Sequence, residues 1–162
     1  MNARPMQQAR KAELNDLAGV LALFNASDVS DVAEDVTEIW GETIGSPHVA
    51  VFVAHCGADI VASAMLITAP NLLRKGQRHG FLENVVTHPA HQGRGYGTAV
   101  VRAALQAARD ARCYHVLLQS GRADPRVHAF YEGLGFEPGL RTGYVARLCA
   151  NNAACEDEQL PQ

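Results

Sequence analysis

Residues 84–98 of the chain are Asn-Val-Val-Thr-His-Pro-Ala-His-Gln-Gly-Arg-Gly-Tyr-Gly-Thr. Apolar β-branched residues predict a strand that ends at Thr87, and Pro89 stops it. A glycine-rich turn follows, and apolar periodicity predicts a long helix from about Gly95 to Ala111. Such a turn directs several backbone N–H groups at one point, with the positive end of the helix dipole behind them. This segment therefore predicts a phosphate-binding turn.

The glycine spacing excludes two common phosphate-binding motifs. The dinucleotide fingerprint G-x-G-x-x-G/A fails, because its last position carries threonine when counted from Gly93 and valine when counted from Gly95. The nucleotide P-loop fails because no Gly-Lys-Ser/Thr follows. The pattern present is Gln-x-x-Gly-x-Gly, at Gln92, Gly95 and Gly97. The glycines alone leave open a turn that binds no ligand.

A second motif lies one predicted strand and one predicted helix downstream, where residues 128–136 are His-Ala-Phe-Tyr-Glu-Gly-Leu-Gly-Phe. The two motifs, in this order and separation, resemble the pyrophosphate signature and the F-Y-E-x-L-G-F segment of the GNAT superfamily of acetyltransferases. The resemblance is close over about Phe81–Arg147, and the N-terminal half matches only in element order. It implies an α/β GNAT fold, with a mixed, mostly antiparallel twisted sheet and helices on both faces.

The hydrophobic pattern of the whole chain predicts the element order β-α-α-β-β-β-α-β-α-β. Arg74–Gly80 is predicted to be a polar loop. The predicted strands are Gln8–Lys11, His48–His55, Asp59–Ala69, Phe81–Thr87, His115–Gln119 and Thr142–Leu148. The first predicted helix runs from a cap at Asn15-Asp16 to about Asn25. The other predicted helices cover Ser30–Ile44, Gly95–Ala111 and Pro125–Leu134.

Length and composition predict one ordinary globular domain. The 162 residues fit a single domain over 1–149, with a polar acidic tail over 150–162. The net charge of −3 argues against a nucleic-acid binder. No run is apolar enough for a signal peptide or a membrane span, so we expect a cytoplasmic protein with four reduced cysteines. His88 and His91 flank Pro89 with no third ligand nearby, and we predict no metal site.

The family resemblance implies acetyl-CoA as co-substrate, in a V-shaped opening between the Phe81–Thr87 and His115–Gln119 strands. The backbone of Val85 and Val86 would pair with the pantetheine amides like an added strand. Arg94 would add positive charge beside the phosphates, although a solvated arginine is an equal alternative. The pyrophosphate would contact the whole turn, which comprises Gln92, Gly93, Arg94, Gly95, Tyr96, Gly97 and Thr98.

Acetyl transfer to an amine needs a base, because an alkylammonium with a pKa near ~10.4 has no lone pair. Glu83 is the candidate base, since it is the only carboxylate in the third long strand. Strand alternation would place it on one face with Val85 and Thr87. Two alternatives stay open: Glu83 could pair with Arg78, or it could bind the substrate amine as a counter-ion.

Tyr131 is the candidate acid that protonates the departing thiolate, a role that the family resemblance implies. Its alternative is a buried tyrosine that packs on its helix and hydrogen-bonds a carbonyl. Many relatives carry asparagine where this chain has Asp124, and we expect the aspartate only to cap the Pro125–Leu134 helix. The oxyanion donor is expected to be a backbone N–H near Val85–Val86.

The predicted function is direct transfer of an acetyl group from acetyl-CoA to a primary amine of a small molecule. An acidic cluster lies where the family forms its acceptor wall, although a solvated helix face is the favoured interpretation. Dimers are common in the family, so a homodimer is compatible with the resemblance. The alternatives are a protein N-acetyltransferase and a non-catalytic acyl-CoA-binding module. The acidic cluster comprises Asp28, Asp31, Glu34, Asp35 and Glu38.

Overall fold

A computed structural model describes residues 7–27, 29 and 33–146. The five strands are β1 (Ala9–Lys11), β2 (Val49–Cys56), β3 (Asp59–Ala69), β4 (Arg78–Thr87) and β5 (Cys113–Leu117). The four helices are α1 (Leu17–Ala26), α2 (Val36–Gly45), α3 (Tyr96–Asp110) and α4 (Pro125–Glu132). Short 3-10 turns cover Leu14–Asp16, Arg74–Gly76 and Pro89–His91.

The chain divides into two compact units, of which the first ends at Leu118 and the second begins at Gln119. The first unit contains all five strands and helices α1 to α3, and the second contains α4. Within the described ranges, no helix has the length and apolar character needed to cross a bilayer.

The sheet has the order β1-β2-β3-β4-β5. Its first three strand pairs are antiparallel, and β4 pairs with β5 in parallel. The parallel pair requires a crossover, which α3 supplies between the two strands. The predicted α/β class and the mixed, mostly antiparallel sheet are therefore confirmed.

Helix α3 covers one face of the sheet through a row of small residues. It contacts β2, β3 and β4, and strand alternation places Ala54, Ala62 and Ala64 on that face. All three alanines are fully buried. Short side chains let the helix approach the strands closely, and the larger residues Phe52, Leu66 and Leu82 of the same face are buried as well. The buried residues of the helix itself are Tyr96, Gly97, Val100, Val101, Ala104 and Ala108.

Helices α1 and α2 cover the opposite face, which we call the α1/α2 face. Its core combines Val20 and Leu23 of α1 with Trp40 of α2 and the strand residues Val51 and Val53. The indole N–H of Trp40 donates to the Leu14 carbonyl at 3.0 Å. Trp40 is therefore a core residue. The partly buried residues that complete this cluster are Leu17, Phe24, Ile44, Met65 and Val86.

The predicted polar loop over Arg74–Gly80 is wrong at its end, because β4 begins at Arg78. Residues 78–80 pair with β5, and Gly80 also pairs with Thr68 of β3. Gly80 is buried, and a Cβ there would lie 3.0 Å from Val116 Cγ2 and 3.1 Å from a backbone carbonyl. A glycine that looks like a loop residue in the sequence is thus required by close strand packing.

Other boundaries also differ from the prediction. Strand β5 covers Cys113–Leu117 instead of His115–Gln119, and α4 ends at Glu132 instead of Leu134. Helix α2 begins at Val36, and within the expected Ser30–Ile44 span residues 33–35 are non-helical while residues 30–32 lie outside the described ranges. The expected Thr142–Leu148 strand is absent over residues 142–146, and the rest of it lies outside the described ranges. The predicted tail over 150–162 also lies outside them.

Asp16 precedes α1 and is tied to β1 by an ion pair. Its carboxylate accepts two hydrogen bonds of 2.7 Å from the Arg10 guanidinium and one of 2.8 Å from the Glu13 N–H. These bonds, with that from Arg10 first, hold the pKa of Asp16 below its usual value. The expected helix cap is thus placed correctly, although its side chain bonds to Arg10 and Glu13 instead of to α1.

We expect Asp16→Asn to lower the free energy of unfolding by about 1 kcal/mol near neutral pH, because the exposed arginine partner weakens the pair. The folded-state pKa of Asp16 lies below the unfolded one, so this stabilisation is lost as the pH falls through the folded-state pKa. Urea unfolding at neutral and acid pH measures the difference, which should shrink in acid. Asp59→Asn, at an exposed strand end, is the control, and an equal Asp16→Asn effect at both pH values would contradict the assignment.

Candidate active site

The turn before α3 contains two glycines whose backbone conformation other residues rarely adopt. The φ angles are +68° at Gly93 and +91° at Gly95. A Cβ at Gly93 would meet no atom within 4 Å, and one at Gly95 would meet only the Gln7 side chain at 3.7 Å. The φ angle, and not lack of space, therefore explains both glycines. Gly95 is the residue that caps α3.

The first turn of α3 presents backbone donors. The first hydrogen bond of the helix runs from the Ala99 N–H to the Gly95 carbonyl at 3.0 Å. The N–H groups of Tyr96, Gly97 and Thr98 therefore have no acceptor within the helix. Fifteen residues of helix lie behind them, and the aligned peptide dipoles favour an anion at this end. The arrangement suits a phosphate, as the sequence predicted.

Side chains around the turn hold it against the end of β4. The Gln92 amide donates to the Thr87 carbonyl at 3.4 Å. Tyr96 is buried, and a hydrogen bond with the Cys56 thiol raises the pKa of its phenol. Tyr96 can thus offer a ligand only its backbone N–H. Arg94 is exposed and forms no ion pair within the described ranges, so its charge is available beside the turn.

One edge of β4 is unpaired along its second half. The pairing with β5 runs from Arg78 to Phe81, opposite Leu117, while the pairing with β3 continues to Thr87. Among the described strands, residues 82–87 therefore pair only with β3. The backbone groups on the other edge form a template for an extended ligand with amides of its own. This is the position at which the sequence predicted that Val85 and Val86 contact pantetheine.

A β-bulge interrupts β4 at the edge of this template. Glu83 lies opposite Met65 and Val86 lies opposite Ser63, so β4 has one residue more than β3 between these pairs. Asn84, with φ of +49°, provides the bulge. Asparagine tolerates this conformation better than most residues. The asparagine within the apolar run was the only signal of the bulge in the sequence.

The bulge changes which residues share a face with Glu83. Paired residues of neighbouring strands lie on the same face, so Glu83 and Val86 both lie on the α1/α2 face. Thr87 pairs with Ala62 and lies on the α3 face. The prediction that Glu83 shares a face with Val85 and Thr87 is therefore wrong. The extra residue shifts the alternation of the strand by one.

Glu83 is exposed, and the structure removes one of its alternative roles. Arg78, the partner considered from sequence, has its guanidinium 3.2 Å from His48 Nδ1. No ion pair between Arg78 and Glu83 is found in the part of the chain that the structure describes. The carboxylate is thus accessible on the face that α1 and α2 partly cover, beside the unpaired edge of β4.

Tyr131 lies in the second unit, on α4. It is half-buried, with its ring 5.0 Å from Phe130 and 5.8 Å from Phe136 in edge-to-face contacts. Asp124 caps the same helix by accepting from the Arg126 N–H at 2.9 Å, as predicted. The Arg126 guanidinium also bonds this carboxylate and lowers the pKa of Asp124.

The structure places the histidines and most of the acidic residues that the sequence singled out. His88 Nδ1 accepts from the Ala90 N–H at 3.1 Å and so caps the 3-10 turn after β4. His91 packs edge-to-face on Tyr96 at 5.8 Å. The acidic residues Glu34, Asp35 and Glu38 are exposed, as the solvated-face interpretation expects, and Asp28 and Asp31 lie outside the described ranges.

Comparison with known proteins agrees with this geometry. The model of the acetyltransferase (GNAT) family matches residues 14–136, which is more than half of the chain. The chain belongs to the GNAT acetyltransferase family. Acetyl-CoA is the co-substrate of the GNAT family. We call the turn before α3 and the unpaired edge of β4 together the candidate cofactor site.

Three relatives show the breadth of the similarity. Glucosamine 6-phosphate N-acetyltransferase of Trypanosoma brucei brucei is 38% identical over 86 residues, 53% of this chain and 56% of its own. A probable glucosamine 6-phosphate N-acetyltransferase 2 of Oryza sativa subsp. japonica is 34% identical over 60% of each chain. The chain thus matches less than two thirds of these relatives. A solved structure from Agrobacterium tumefaciens str. C58, described as an acetyltransferase, is 40% identical with TM-score 0.80, covering 87% of this chain and 99% of its own.

Gly95, whose backbone is left-handed at the start of α3, gives a sharp test of the candidate cofactor site. Gly95→Ala should lower the free energy of unfolding by about 1–2 kcal/mol, because alanine is strained at this φ, and should weaken acetyl-CoA binding. Gly41→Ala is the matched control, since a Cβ inside α2 would meet nothing within 4 Å. That control should raise the free energy of unfolding by about 0.5–1 kcal/mol. Urea unfolding and calorimetry measure both effects, and two changes of the same sign would contradict the assignment.

Proposed function

We propose that this protein is an acetyl-CoA-dependent N-acetyltransferase that acts on a primary amine of a small molecule. The proposal depends mainly on the position of the unpaired edge of β4, which covers residues 82–87. This edge ends five residues before Gln92, where the turn with the free N–H groups of α3 begins. One extended ligand with amides at one end and a diphosphate at the other suits both features. Acetyl-CoA has this chemistry, and it is the co-substrate of the family.

In this proposal, Glu83 removes a proton from the acceptor amine, directly or through one water. The neutral amine attacks the thioester carbonyl, so a C–N bond forms and the carbonyl oxygen takes the electron pair. A backbone N–H near Val85–Val86 stabilises this oxyanion. The C–S bond then breaks, and the thiolate receives a proton from the Tyr131 phenol. The products are the N-acetylated amine and CoA, with no covalent enzyme intermediate.

The acceptor class is proposed from the relatives together with the site. Two of them are named glucosamine 6-phosphate N-acetyltransferases, which supports an amino-sugar phosphate as the acceptor. The exposed Glu83 on the partly covered α1/α2 face provides a carboxylate for the amine of such a substrate. We also propose that residues 1–149 act together as one functional domain, because the family match extends across both compact units.

An amine panel with acetyl-CoA tests the function. The panel includes amino sugars with and without a 6-phosphate, amino acids and peptide N-termini, and acetylated product is followed by mass. A thiol reagent is unsuitable alone, because Cys56 and Cys113 are free thiols. We expect acetyl transfer to an amino-sugar phosphate above the protein-free background. Preferred transfer to peptides would favour a protein acetyltransferase, and binding of acetyl-CoA without any transfer would favour a non-catalytic module.

A further inference from the structure

A cluster of hydrogen-bond donors lies at the paired end of β4 and β5, away from the glycine turn. We call it the cationic cluster, and it comprises Arg74, His79, Tyr114 and His115. His79 Nδ1 lies 3.0 Å from the Tyr114 hydroxyl and 3.4 Å from His115 Nε2. The Arg74 guanidinium stands 5.6 Å from the centre of the Tyr114 ring. These four side chains thus form one continuous group.

A second β-bulge assembles this cluster. Arg78 pairs with Cys113 and His79 pairs with His115, so Tyr114 is an extra residue in β5. The bulge brings the Tyr114 and His115 rings to 3.9 Å from each other. Bulges between parallel strands are rare, and they are over-represented where a side chain is redirected beside a functional site. The local geometry therefore favours a binding role for these rings.

Arg74 has no carboxylate partner among the described residues. The two ion pairs found there join Arg10 to Asp16 and Arg126 to Asp124. Arg74 and its neighbour Lys75 are also held at φ of +53° and +56°, as is the nearby Arg112 at +58°. Three of the four non-glycine residues with positive φ among the described residues are thus cations at this end of the sheet. Backbone strain of this kind concentrates at ligand sites.

The cluster lies on the same face as the candidate base. Alternation along β4 places His79, Phe81 and Glu83 on the α1/α2 face, with the His79 and Phe81 rings stacked at 6.3 Å. The Cα atoms of His79 and Glu83 are four residue steps apart along β4, which corresponds to about 13 Å. Because the side chains at both ends are long, their functional groups can be closer to each other than the Cα atoms are. A ligand with an amine at one end and an anionic group at the other therefore suits the surface between Glu83 and the cationic cluster.

We infer that the cationic cluster binds the phosphate group of the acceptor, an inference that rests on the proposed function. Arg74 and the two histidines supply guanidinium and imidazole donors, which are groups that recognise a phosphate monoester. If the Tyr114 hydroxyl donates to Nδ1, a neutral His79 carries its proton on Nε2, where it is a further donor. Phe81 then supports the sugar ring between the phosphate and the amine at Glu83.

Paired kinetics with glucosamine 6-phosphate and glucosamine test the inference. Wild-type kcat/KM should be at least about tenfold higher for the phosphorylated sugar, because a hydrogen bond to a charged group is worth that much or more. Tyr114→Phe, His79→Gln and Arg74→Gln should each raise KM for glucosamine 6-phosphate by about tenfold. They should leave KM for glucosamine unchanged. Equal wild-type kcat/KM for the two sugars would overturn the inference.

Two controls distinguish a lost phosphate contact from other causes of a raised KM for glucosamine 6-phosphate. Lys11→Gln removes one positive charge from β1, at the opposite edge of the sheet, and should change neither sugar's KM. KM for acetyl-CoA should stay constant in all variants. If the cluster variants raised KM for acetyl-CoA and left KM for glucosamine 6-phosphate unchanged, the cluster would bind a phosphate of CoA. That result would overturn the inference.

A binding measurement keeps this test independent of acetyl transfer. The imidazole resonances of His79 and His115 are followed by NMR during titration with inorganic phosphate and with glucosamine 6-phosphate. Saturable shifts that are lost in Arg74→Gln support the phosphate site even if no amine is acetylated, so its outcome is distinct from that of the amine panel. Unchanged resonances with both ligands would overturn it. Tyr114→Phe, which removes only a hydroxyl, guards against a variant that fails to fold.

Discussion

Replacement of Tyr131 by phenylalanine is expected to lower kcat by about a hundredfold. The phenol is proposed to protonate the thiolate of CoA, and phenylalanine has no proton to give. The ring contacts of Tyr131 with Phe130 and Phe136 survive the change, so α4 should retain its packing. Acetyl-CoA affinity, measured by calorimetry, should stay within about twofold, because this change removes no donor from the turn before α3.

Tyr144→Phe is the matched control for this prediction. It makes the same chemical change in the same unit, at a residue that is 90% exposed. We expect its kcat to equal that of the wild type. A Tyr131→Phe protein with normal kcat would remove the phenol from the mechanism, and one with lost acetyl-CoA binding would make Tyr131 a structural residue.

The Glu83→Gln substitution is the second change for which we expect a large effect. It should lower kcat by about a hundredfold or more. Glutamine keeps the size of the side chain and removes its capacity to accept a proton. The general base acts on the ammonium form, so raising the pH should partly restore the rate of the variant as more amine becomes neutral. Initial rates across alkaline pH measure this recovery.

The same variant separates the two roles that Glu83 can have. A base affects kcat and leaves KM for the amine nearly unchanged, whereas a counter-ion for the ammonium group affects chiefly KM. Glu38→Gln, at an exposed position on α2, is the control and should leave both constants unchanged. A Glu83→Gln enzyme with normal kcat and a raised KM would assign the carboxylate to binding alone.

The sequence predicted the parts of the site that depend on local chemistry. The glycine pattern at 92–97 located the turn, because glycines at positive φ are required by backbone sterics wherever they occur. Helix α3 and strand β3 were predicted within one residue at each end, because their periodicity is strong and long. The capping role of Asp124 was predicted because it needs only the next two residues.

Local sequence patterns did not predict the contacts between strands that are distant in the chain. Gly80 is typical of a loop, and only its contact with Val116 of another strand shows why a strand needs glycine there. The cationic cluster was missed for the same reason, since Tyr114 meets His79 across thirty-five positions of sequence through a bulge that no local pattern marks. Even the face of Glu83 was predicted wrongly, because the alternation rule assumes an uninterrupted ladder.

The amino-acid sequence by itself determined the order of the elements from β1 to α4, the α/β class and the position of the glycine turn. Those features follow from backbone sterics and from hydrophobic periods within about twenty residues. The tertiary structure alone decided where β4 parts from β5, which face Glu83 occupies, and which cations meet at the far end of the sheet. Register and bulges depend on hydrogen bonds between distant strands, and the sequence of one strand does not specify its partner's alignment.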